Sequence, residues 1–390
     1  MDFRQEAEEL AGYLVQTRRD FHRHPELGFQ ETRTAGIVAE TLTGHGLEVQ
    51  RGIGQTGVVG VLEGERDGPV VLLRFDMDAL PVTEENETDY VSLNPGLMHA
   101  CGHDGHMAMG LALARIMAGR RQQMAGTLKF LFQPGEEGRG GALAVLADGA
   151  LENPRPDVAL AMHLWSEVEY GRIRVNDGPA MAASSIFTLT VRGKGGHGAA
   201  PHRSVDPILA AAHIVVALQS IVSRNVDPLE SVVVTVGQMT AGTTFNVIPE
   251  VATLKGTVRS YNNEMHRHVY RRILEMAQNM AQAFGCQTAM EAVAIVPAVV
   301  NAPEPTARVR TAAASIVGAD TVVEGRTMGA EDMGYILEEI PGCYFFIGAG
   351  NEELGLDFPH HHPRFDIDER ALVLGVATMA EAAASYVLDS

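Results

Sequence analysis

The sequence has little cysteine, a shortage of basic residues and no long apolar run. Its three cysteines, Cys101, Cys286 and Cys343, are far apart and odd in number, which excludes a disulfide framework and indicates reduced thiols. The 30 basic and 49 acidic residues leave a formal charge of −19, which argues against a nucleic-acid partner. Neither an apolar core of signal-peptide type nor an uninterrupted apolar run of ~18 residues is present. We therefore expect a cytoplasmic protein without a membrane partner.

The length and the periodicity predict two domains. At 390 residues the chain exceeds the roughly 250 to 300 residues of a usual single core, and 46% of its residues are hydrophobic. Amphipathic helices are predicted at residues 3–19, 32–43 and 104–117, and apolar strands at 57–62, 70–75, 127–132, 158–162 and 172–175. This alternation predicts an α/β domain whose central sheet is covered by helices on both faces.

The order of elements changes in the middle of the chain. Strands are predicted at 186–192, 231–239, 251–260 and 287–294, with helices at 207–222 and 264–284. The order βαββαβ predicts a ferredoxin-like α+β domain. We therefore predict that an inserted domain at 184–297 separates two parts of the outer domain, 1–183 and 298–390.

The densest group of reactive side chains lies at the start of the predicted helix at 104–117. His99, Cys101, His103, Asp104 and His106 fall within eight residues, and thiolate and imidazole are preferred ligands of zinc-like metals. The same residues taken alone are also consistent with polar helix caps beside a buried cysteine.

Three further groups lie where strands of the sheet are predicted to end. Glu136 and Glu137 lie on a Gly-flanked turn, where one carboxylate could bind metal while the other takes a proton from water. His163 and the histidine run at 360–362 are the other two groups. Each of these groups, taken alone, is more often an ordinary polar feature. Glu136 and Glu137 alone would indicate an exposed acidic turn. Because the carboxyl ends of sheet strands open onto one crevice, all four groups together predict an active site there.

Seven segments carry a resemblance to a known family. They are RFDMDALP at 74–81, MHACGHDGH at 98–106, QPGEEG at 133–138, MHL at 162–164, GGH at 195–197, NVIP at 246–249 and HHP at 361–363. In this order they resemble the aminoacylase and hippurate-hydrolase branch of the dinuclear zinc peptidase family. The resemblance extends from about residue 24 to residue 368. It implies a zinc-peptidase-like catalytic domain with a mixed central sheet flanked by helices.

The resemblance implies two divalent metal ions per subunit, which could be zinc, manganese or cobalt. The implied metal ligands are Cys101, His103, Glu137, His163 and His361. Cys101 would bridge the two ions, His103 and His163 would complete one site, and Glu137 and His361 the other. Glu136 would be the general base and then the general acid. Asp76 stands where many relatives outside this branch have a ligating histidine, so Asp76 and Asp78 are expected to orient ligands.

The inserted domain resembles the lid and dimerisation domain of the family. The resemblance implies that His197 stabilises the oxyanion, commonly across a subunit interface, and that the protein is a homodimer or homotetramer through the lid. Asn246 and Arg259 resemble a pair that binds a substrate carboxylate, which an amide and a guanidinium suit chemically. Without the resemblance, His197 is also consistent with a polar turn residue and Arg259 with a surface charge.

The activity implied is metal-dependent hydrolysis of the amide bond of N-acyl amino acids, hippurate-like or N-acetyl, by a metal-bound hydroxide. A dipeptidase or carboxypeptidase of the same family acting on short peptides is the alternative with the same chemistry. A metal-binding relative without turnover is a further alternative, against which Glu136 argues because mere binding does not need it. A zinc nucleobase deaminase is excluded because the chain lacks a Pro-Cys-x-x-Cys element.

Overall fold

The computed structural model describes residues 2–388, apart from the side chains of residues 292–295. Two parts of the predictions therefore lie outside the described residues. They are the ends of the predicted outer domain, Met1 and residues 389–390, and the side chains near the end of the predicted strand 287–294. The chain divides into two compact units. The first unit comprises Met1–Ala180, Val300–Arg326 and Asp332–Ser390, and the second comprises Met181–Val299 and Thr327–Glu331. No sequence pattern indicated that Thr327–Glu331 belongs with the second unit.

The helices and strands are numbered in chain order. The helices are α1 Phe3–Glu9, α2 Ala11–Arg23, α3 Thr32–Gly44, α4 His103–Ala118, α5 Gly141–Ala147, α6 Pro207–Asn225, α7 Asn263–Ala283, α8 Pro303–Val317, α9 Met333–Glu339 and α10 Ala371–Val387. The strands are β1 Glu48–Ile53, β2 Gly57–Glu63, β3 Arg66–Asp76, β4 Ala125–Gln133, β5 Val158–Glu169, β6 Ile173–Arg174, β7 Gly178–Met181, β8 Ala183–Arg192, β9 Gly196–His197, β10 Val232–Ala241, β11 Val247–Ile248, β12 Val251–Ser260, β13 Gln287–Val296, β14 Val299–Asn301, β15 Val322–Val323 and β16 Gly342–Gly350.

The first unit is built on an eight-stranded mixed sheet. Its strand order is β1-β2-β4-β3-β5-β16-β6-β15. Strands β4, β3, β5 and β16 are parallel neighbours, so their carboxyl ends lie at one edge of the sheet. Every residue of β16 is buried, as are all but the first residue of β4, which shows that helices cover both faces there. The predicted mixed sheet flanked by helices is confirmed.

Helix α4 is almost entirely buried against this sheet. It packs on β3 and against α2 and α10. A Cβ atom at Gly110 would lie 2.8 Å from ring atoms of both Phe75 and Phe132, so a larger residue would push the helix off the sheet. The close packing of α4 fixes the position of its first residue, His103, relative to the strand ends.

One helix of the first unit differs from the prediction. The single helix expected at 3–19 is two helices that meet at Leu10, where φ is −95° and ψ is 4°. The buried side chains of Phe3, Ala7 and Leu14 remain on one face across the break. The apolar periodicity therefore continues through the turn, and a pattern of periodicity cannot reveal a one-residue kink.

The second unit has the βαββαβ order that was predicted. Its four-stranded antiparallel sheet has the order β10-β12-β8-β13, and α6 and α7 pack on it. In the described part of the chain, only α6 is long and apolar enough to span a membrane by length and composition. Its buried residues, which include Ala210, Ile214, Leu218 and Ile221, recur every three or four positions and belong to the core of this unit. This spacing is that of an amphipathic helix on a sheet.

A buried ionic network attaches α2 to the first turn of α4. The Arg18 guanidinium donates to Asp104 at 2.8 Å and to Asp366 at 2.7 Å. The two ring nitrogens of His22 lie 2.7 Å from Asp104 and 3.1 Å from Glu84. Because carboxylates contact both nitrogens, the ring is held as an imidazolium that donates twice. This network anchors the residue that follows His103.

We expect His22 to make the stability of the fold depend on pH. Burial lowers the pKa of His22, but hydrogen bonds to Asp104 and Glu84 outweigh it and raise the pKa from 6.5 to about 9. Because the folded-state pKa is raised, its stabilisation is complete below pH 6.5 and is lost as the pH rises through about 9. The contribution of the raised His22 pKa to the free energy of unfolding is on the order of 3 kcal/mol.

Chemical denaturation of wild type and His22→Gln between pH 6 and 10 checks this expectation. The free energy of unfolding of the wild type should fall toward that of the variant as the pH rises. Parallel curves over that range would contradict it. His24→Gln, which changes a half-exposed histidine at the end of the same helix, is the matched control.

Candidate active site

Three strand ends, the middle of β5 and the start of α4 bring the candidate residues of the first unit together. Asp76 is the last residue of β3, and the turn with Glu136 and Glu137 follows β4. His163 lies within β5, which continues to Glu169 and does not end at residue 162 as predicted, because its pairing with β16 extends past His163. The loop with His361 follows β16. These are the parallel strands whose carboxyl ends share one edge, which is the expected place for a site in such a sheet.

The donor atoms form two triads that share one thiol. Cys101, His103 and His163 make the first triad, and Cys101, Glu137 and His361 the second, with all donor atoms of each within 4.8 Å of one another. Cys101 Sγ lies 3.5 Å from His163 Nε2, and His361 Nε2 lies 3.2 Å from a Glu137 carboxylate oxygen. Donor atoms this close can share an ion. The structure thus brings together all five predicted ligands.

The two histidines of the first triad are held with Nε2 available. His103 Nδ1 donates to the backbone carbonyl of Asp78 at 2.8 Å, and His163 Nδ1 donates to the carbonyl of Leu164 at 2.6 Å. A neutral imidazole that donates through Nδ1 keeps an unprotonated Nε2. His103 Nε2 is buried and has no hydrogen-bond partner among the described residues. Such orientation by a carbonyl is typical of histidines that bind metal.

Asp78 connects three of the candidate residues. Its carboxylate accepts the backbone N–H groups of Glu136 and Glu137 at 3.0 and 2.9 Å, while its carbonyl accepts from His103. It therefore positions the glutamate turn and one histidine together. Asp76 acts differently: its carboxylate accepts from His106 Nδ1 at 2.5 Å, and it lies 3.7 Å from His103 Nε2, beyond hydrogen-bonding distance.

Two backbone conformations place the ligand loops. Gly102 has φ of +86°, a left-handed conformation that a glycine adopts without strain, and it separates Cys101 from the start of α4. His361 has φ of +68° although it is not glycine, and its N–H donates to the Ala100 carbonyl at 2.8 Å. Strained residues held by such a bond are common at functional sites. Here the bond ties the His361 loop to the Cys101 loop.

The electrostatics of the site favour a bound cation. Burial raises the pKa of the Cys101 thiol, and the carboxylates of Glu137 and Glu136 raise it further. Burial lowers the pKa of His103, but Asp76, Asp78 and Glu137 outweigh it and raise that pKa to about 10, so without a metal ion His103 Nε2 carries a proton that a bound cation would displace. Negative charge is thus in excess around these donors. Divalent metals fit a set of thiol, imidazole and carboxylate donors with this charge.

Buried partners support the site from behind. The sequence patterns singled out His106 as a structural residue but indicated no role for Arg74 and Asp332. His106 Nδ1 bonds Asp76, and its Nε2 accepts the Leu164 N–H at 2.9 Å, so His106 supports the strand next to His163. Arg74 donates to Asp76 at 2.6 Å and to Asp332 at 2.9 Å. An arginine within an otherwise apolar strand was the one signal in the sequence. Asp332, distant along the chain, had none.

In the second unit, His197 and Asn246 are neighbours, whereas Arg259 lies on β12. His197 pairs with Val247 across β9 and β11, and the Gly198 N–H donates to the Asn246 carbonyl at 2.9 Å. The Ala199 N–H donates to His197 Nδ1 at 3.0 Å, so the neutral ring carries its proton on Nε2. His197 is exposed and Arg259 is half-buried. The predicted roles of these residues, like those of the first unit, remain predictions.

Comparison with known proteins identifies the family. A family model described as peptidase family M20/M25/M40 matches residues 72–385. YhaA of Bacillus subtilis (strain 168), named as an amidohydrolase, is 40% identical over 375 residues, which are 96% of this chain and 94% of YhaA. The N-acetylcysteine deacetylase of the same organism is 38% identical over 373 residues, which are 95% of this chain and 96% of the deacetylase. The crystal structure of Bacillus subtilis YxeP is described as that of a dinuclear metal binding peptidase from the M20 family. It superposes with a TM-score of 0.81 at 32% identity, over 96% of this chain and 98% of the YxeP chain. The chain therefore belongs to peptidase family M20/M25/M40 and is a metal-dependent amidohydrolase.

Proposed function

We propose that the protein hydrolyses the amide bond of N-acyl amino acids and releases the free amino acid and the carboxylic acid. The acyl group would be small, such as acetyl, or aromatic, such as benzoyl. Relatives that are named as an amidohydrolase and an N-acetylcysteine deacetylase support this class of substrate over dipeptides.

The observation that carries the proposal is the position of Glu136. Its carboxylate lies within 4.8 Å of the donor atoms of His103 and Glu137, so these three side chains could also hold an ion, but Glu136 is a member of neither triad that shares Cys101. A carboxylate beside a metal-binding set but outside it suits proton transfer. The Asp78 carboxylate accepts the Glu136 N–H at 3.0 Å and keeps that turn in place.

The residues of the first unit would divide the chemistry as follows. Cys101 with His103 and His163, and Cys101 with Glu137 and His361, would hold two divalent metal ions, which would supply Lewis acidity to the amide carbonyl and to the attacking water. Glu136 takes the proton from that water. Glu136 then delivers it to the nitrogen of the leaving amino acid, because amide cleavage requires a protonated amine to depart.

The second unit would recognise the substrate and its developing charge. His197 presents a protonated Nε2, which is a suitable donor to the oxyanion. Burial lowers the pKa of Arg259, and no described residue forms an ion pair or hydrogen bond with its guanidinium. A half-buried guanidinium without a charged partner would bind the carboxylate of an incoming substrate, and Asn246 would add an amide donor.

A substrate panel tests the proposal. Protein that has been stripped of metal by a chelator, and then restored with zinc, manganese or cobalt separately, is offered N-acetyl and N-benzoyl amino acids and dipeptides. We expect amine release from N-acyl amino acids only after restoration. The methyl ester of the best substrate, which lacks the carboxylate for Arg259, should lose about 10- to 100-fold in kcat/KM, the value of a charge-assisted hydrogen bond.

Two results would count against the proposal. Faster cleavage of dipeptides than of every N-acyl amino acid would assign a peptidase activity instead. Equal kcat/KM for the acid and its methyl ester would remove the role of Arg259 and Asn246 while leaving the hydrolysis itself in place.

A further inference from the structure

We infer that His360 is a positioning residue for the metal centre, whose Nδ1–H donates a hydrogen bond to the Cys101 sulfur, which a bound metal ion would convert to a thiolate. The inference rests on the proposed metal centre but not on the substrate. The family pattern points to His361 as the ligand and leaves His360 without a role. The side chain of His360 nevertheless lies against the thiol that both triads share.

The protonation of the His360 ring follows from one backbone contact. The Ser166 N–H donates to His360 Nε2 at 3.3 Å. A ring nitrogen that accepts a hydrogen bond carries no proton, so the neutral ring has its proton on Nδ1. That nitrogen lies 3.9 Å from Cys101 Sγ. The contact is long. It nevertheless joins the protonated nitrogen of His360 to the sulfur that both triads share.

The ring of His360 is held in this orientation by aromatic neighbours. Its centroid lies 4.5 Å from that of Trp165 and 4.9 Å from that of Phe365. The His163 ring, which belongs to the first triad, lies 5.1 Å away with its plane at 79° to the His360 ring. Packing on several sides therefore fixes both the position and the rotation of the donor.

His360 does not fit the role of a third ligand. The described groups of three or more donors whose atoms lie within 4.8 Å of one another do not include His360. Its Nε2 is also occupied by the Ser166 N–H. A neutral N–H donor near a thiolate stabilises the anionic sulfur, as an outer partner of a ligand does. The backbone carbonyl of Cys101 is the competing acceptor for the same proton.

Substitutions of His360 in cobalt-loaded protein test the inference without any substrate. His360→Asn places an amide N–H near the position of Nδ1, whereas His360→Gln directs its amide toward Ser166 instead. Loss of the hydrogen bond leaves more electron density on sulfur. We therefore expect the thiolate-to-cobalt charge-transfer band to shift to longer wavelength in His360→Gln and to stay near the wild-type position in His360→Asn. Cobalt affinity should fall about 10- to 100-fold in the Gln variant, the usual effect of removing an outer partner.

His362→Gln is the matched control, since the ring of His362 stacks on Phe358 with centroids 4.7 Å apart. Circular dichroism checks that each variant folds, and the Asn and Gln variants differ by one methylene. An unshifted band in His360→Gln with intact metal binding would overturn the inference and assign the proton to the Cys101 carbonyl. Absence of a thiolate band from the wild type would overturn Cys101 as a ligand, and this inference with it. Failure of the substrate panel alone would leave the band shifts unaffected.

Discussion

Replacing Glu136 by Gln should leave the metal content and the fold intact and lower kcat by about 100-fold or more, the usual contribution of a general base. The carboxylate of Glu136 belongs to neither triad that shares Cys101, so its loss removes no expected ligand. Gln has the same shape, and the hydrogen bond from the backbone N–H of residue 136 to the Asp78 carboxylate does not involve the side chain that is changed. The turn therefore stays in place while the proton acceptor is lost.

Glu137→Gln is the matched comparison for this variant, because it changes the adjacent residue of the same turn. Glu137 lies 3.2 Å from His361 Nε2 within the second triad, so its substitution should reduce the metal content as well as the rate. Elemental analysis, circular dichroism and steady-state kinetics on both variants separate the two roles. Retention of wild-type kcat in Glu136→Gln would exclude Glu136 as the base.

Replacing Cys101 by Ala should lower metal binding at both sites together and reduce activity to that of the metal-stripped protein. Its sulfur is the only atom that the two triads have in common among the described residues. Loss of a ligand costs more than loss of an outer partner, so we expect each dissociation constant to rise by more than about 100-fold. Isothermal titration with zinc measures both affinities.

Cys286→Ala is the control for this experiment. Cys286 is buried in the core of the second unit and takes part in neither triad. It should keep both metals and full activity. Loss of only one metal ion from Cys101→Ala would show that the thiolate belongs to a single site and does not bridge.

The fold class and the composition of the site followed from local patterns. Strand and helix periodicity is a property of neighbouring residues, so the sheet covered by helices and the βαββαβ order of the second unit could be predicted. The clusters around Cys101, Glu137, His163 and the histidine run at 360–362 were predicted to converge because parallel strands end at the same edge, and the family resemblance then implied which residues are ligands. The structure places them accordingly.

The support behind the ligands could not be predicted in the same way. Asp332 lies 258 residues from Arg74 along the chain, yet its carboxylate bonds that guanidinium at 2.9 Å. His106 bonds Asp76, which is 30 residues away. Such contacts depend on strand register and on the direction of each side chain, which no local pattern records. The kink at Leu10 was missed for the related reason that periodicity continues through it.

The sequence therefore determined which chemical groups the site contains, because the family resemblance selects them from clusters that taken one by one are ordinary polar features. Tertiary structure alone decided which nitrogen of each histidine is free. Each ring has one partner that determines which of its nitrogens carries the proton. These partners are the Asp78 carbonyl for His103, the Leu164 carbonyl for His163 and the Ser166 N–H for His360. The physical reason is that a proton on an imidazole is assigned by its partner in space, and these partners come from separate segments packed around the sheet.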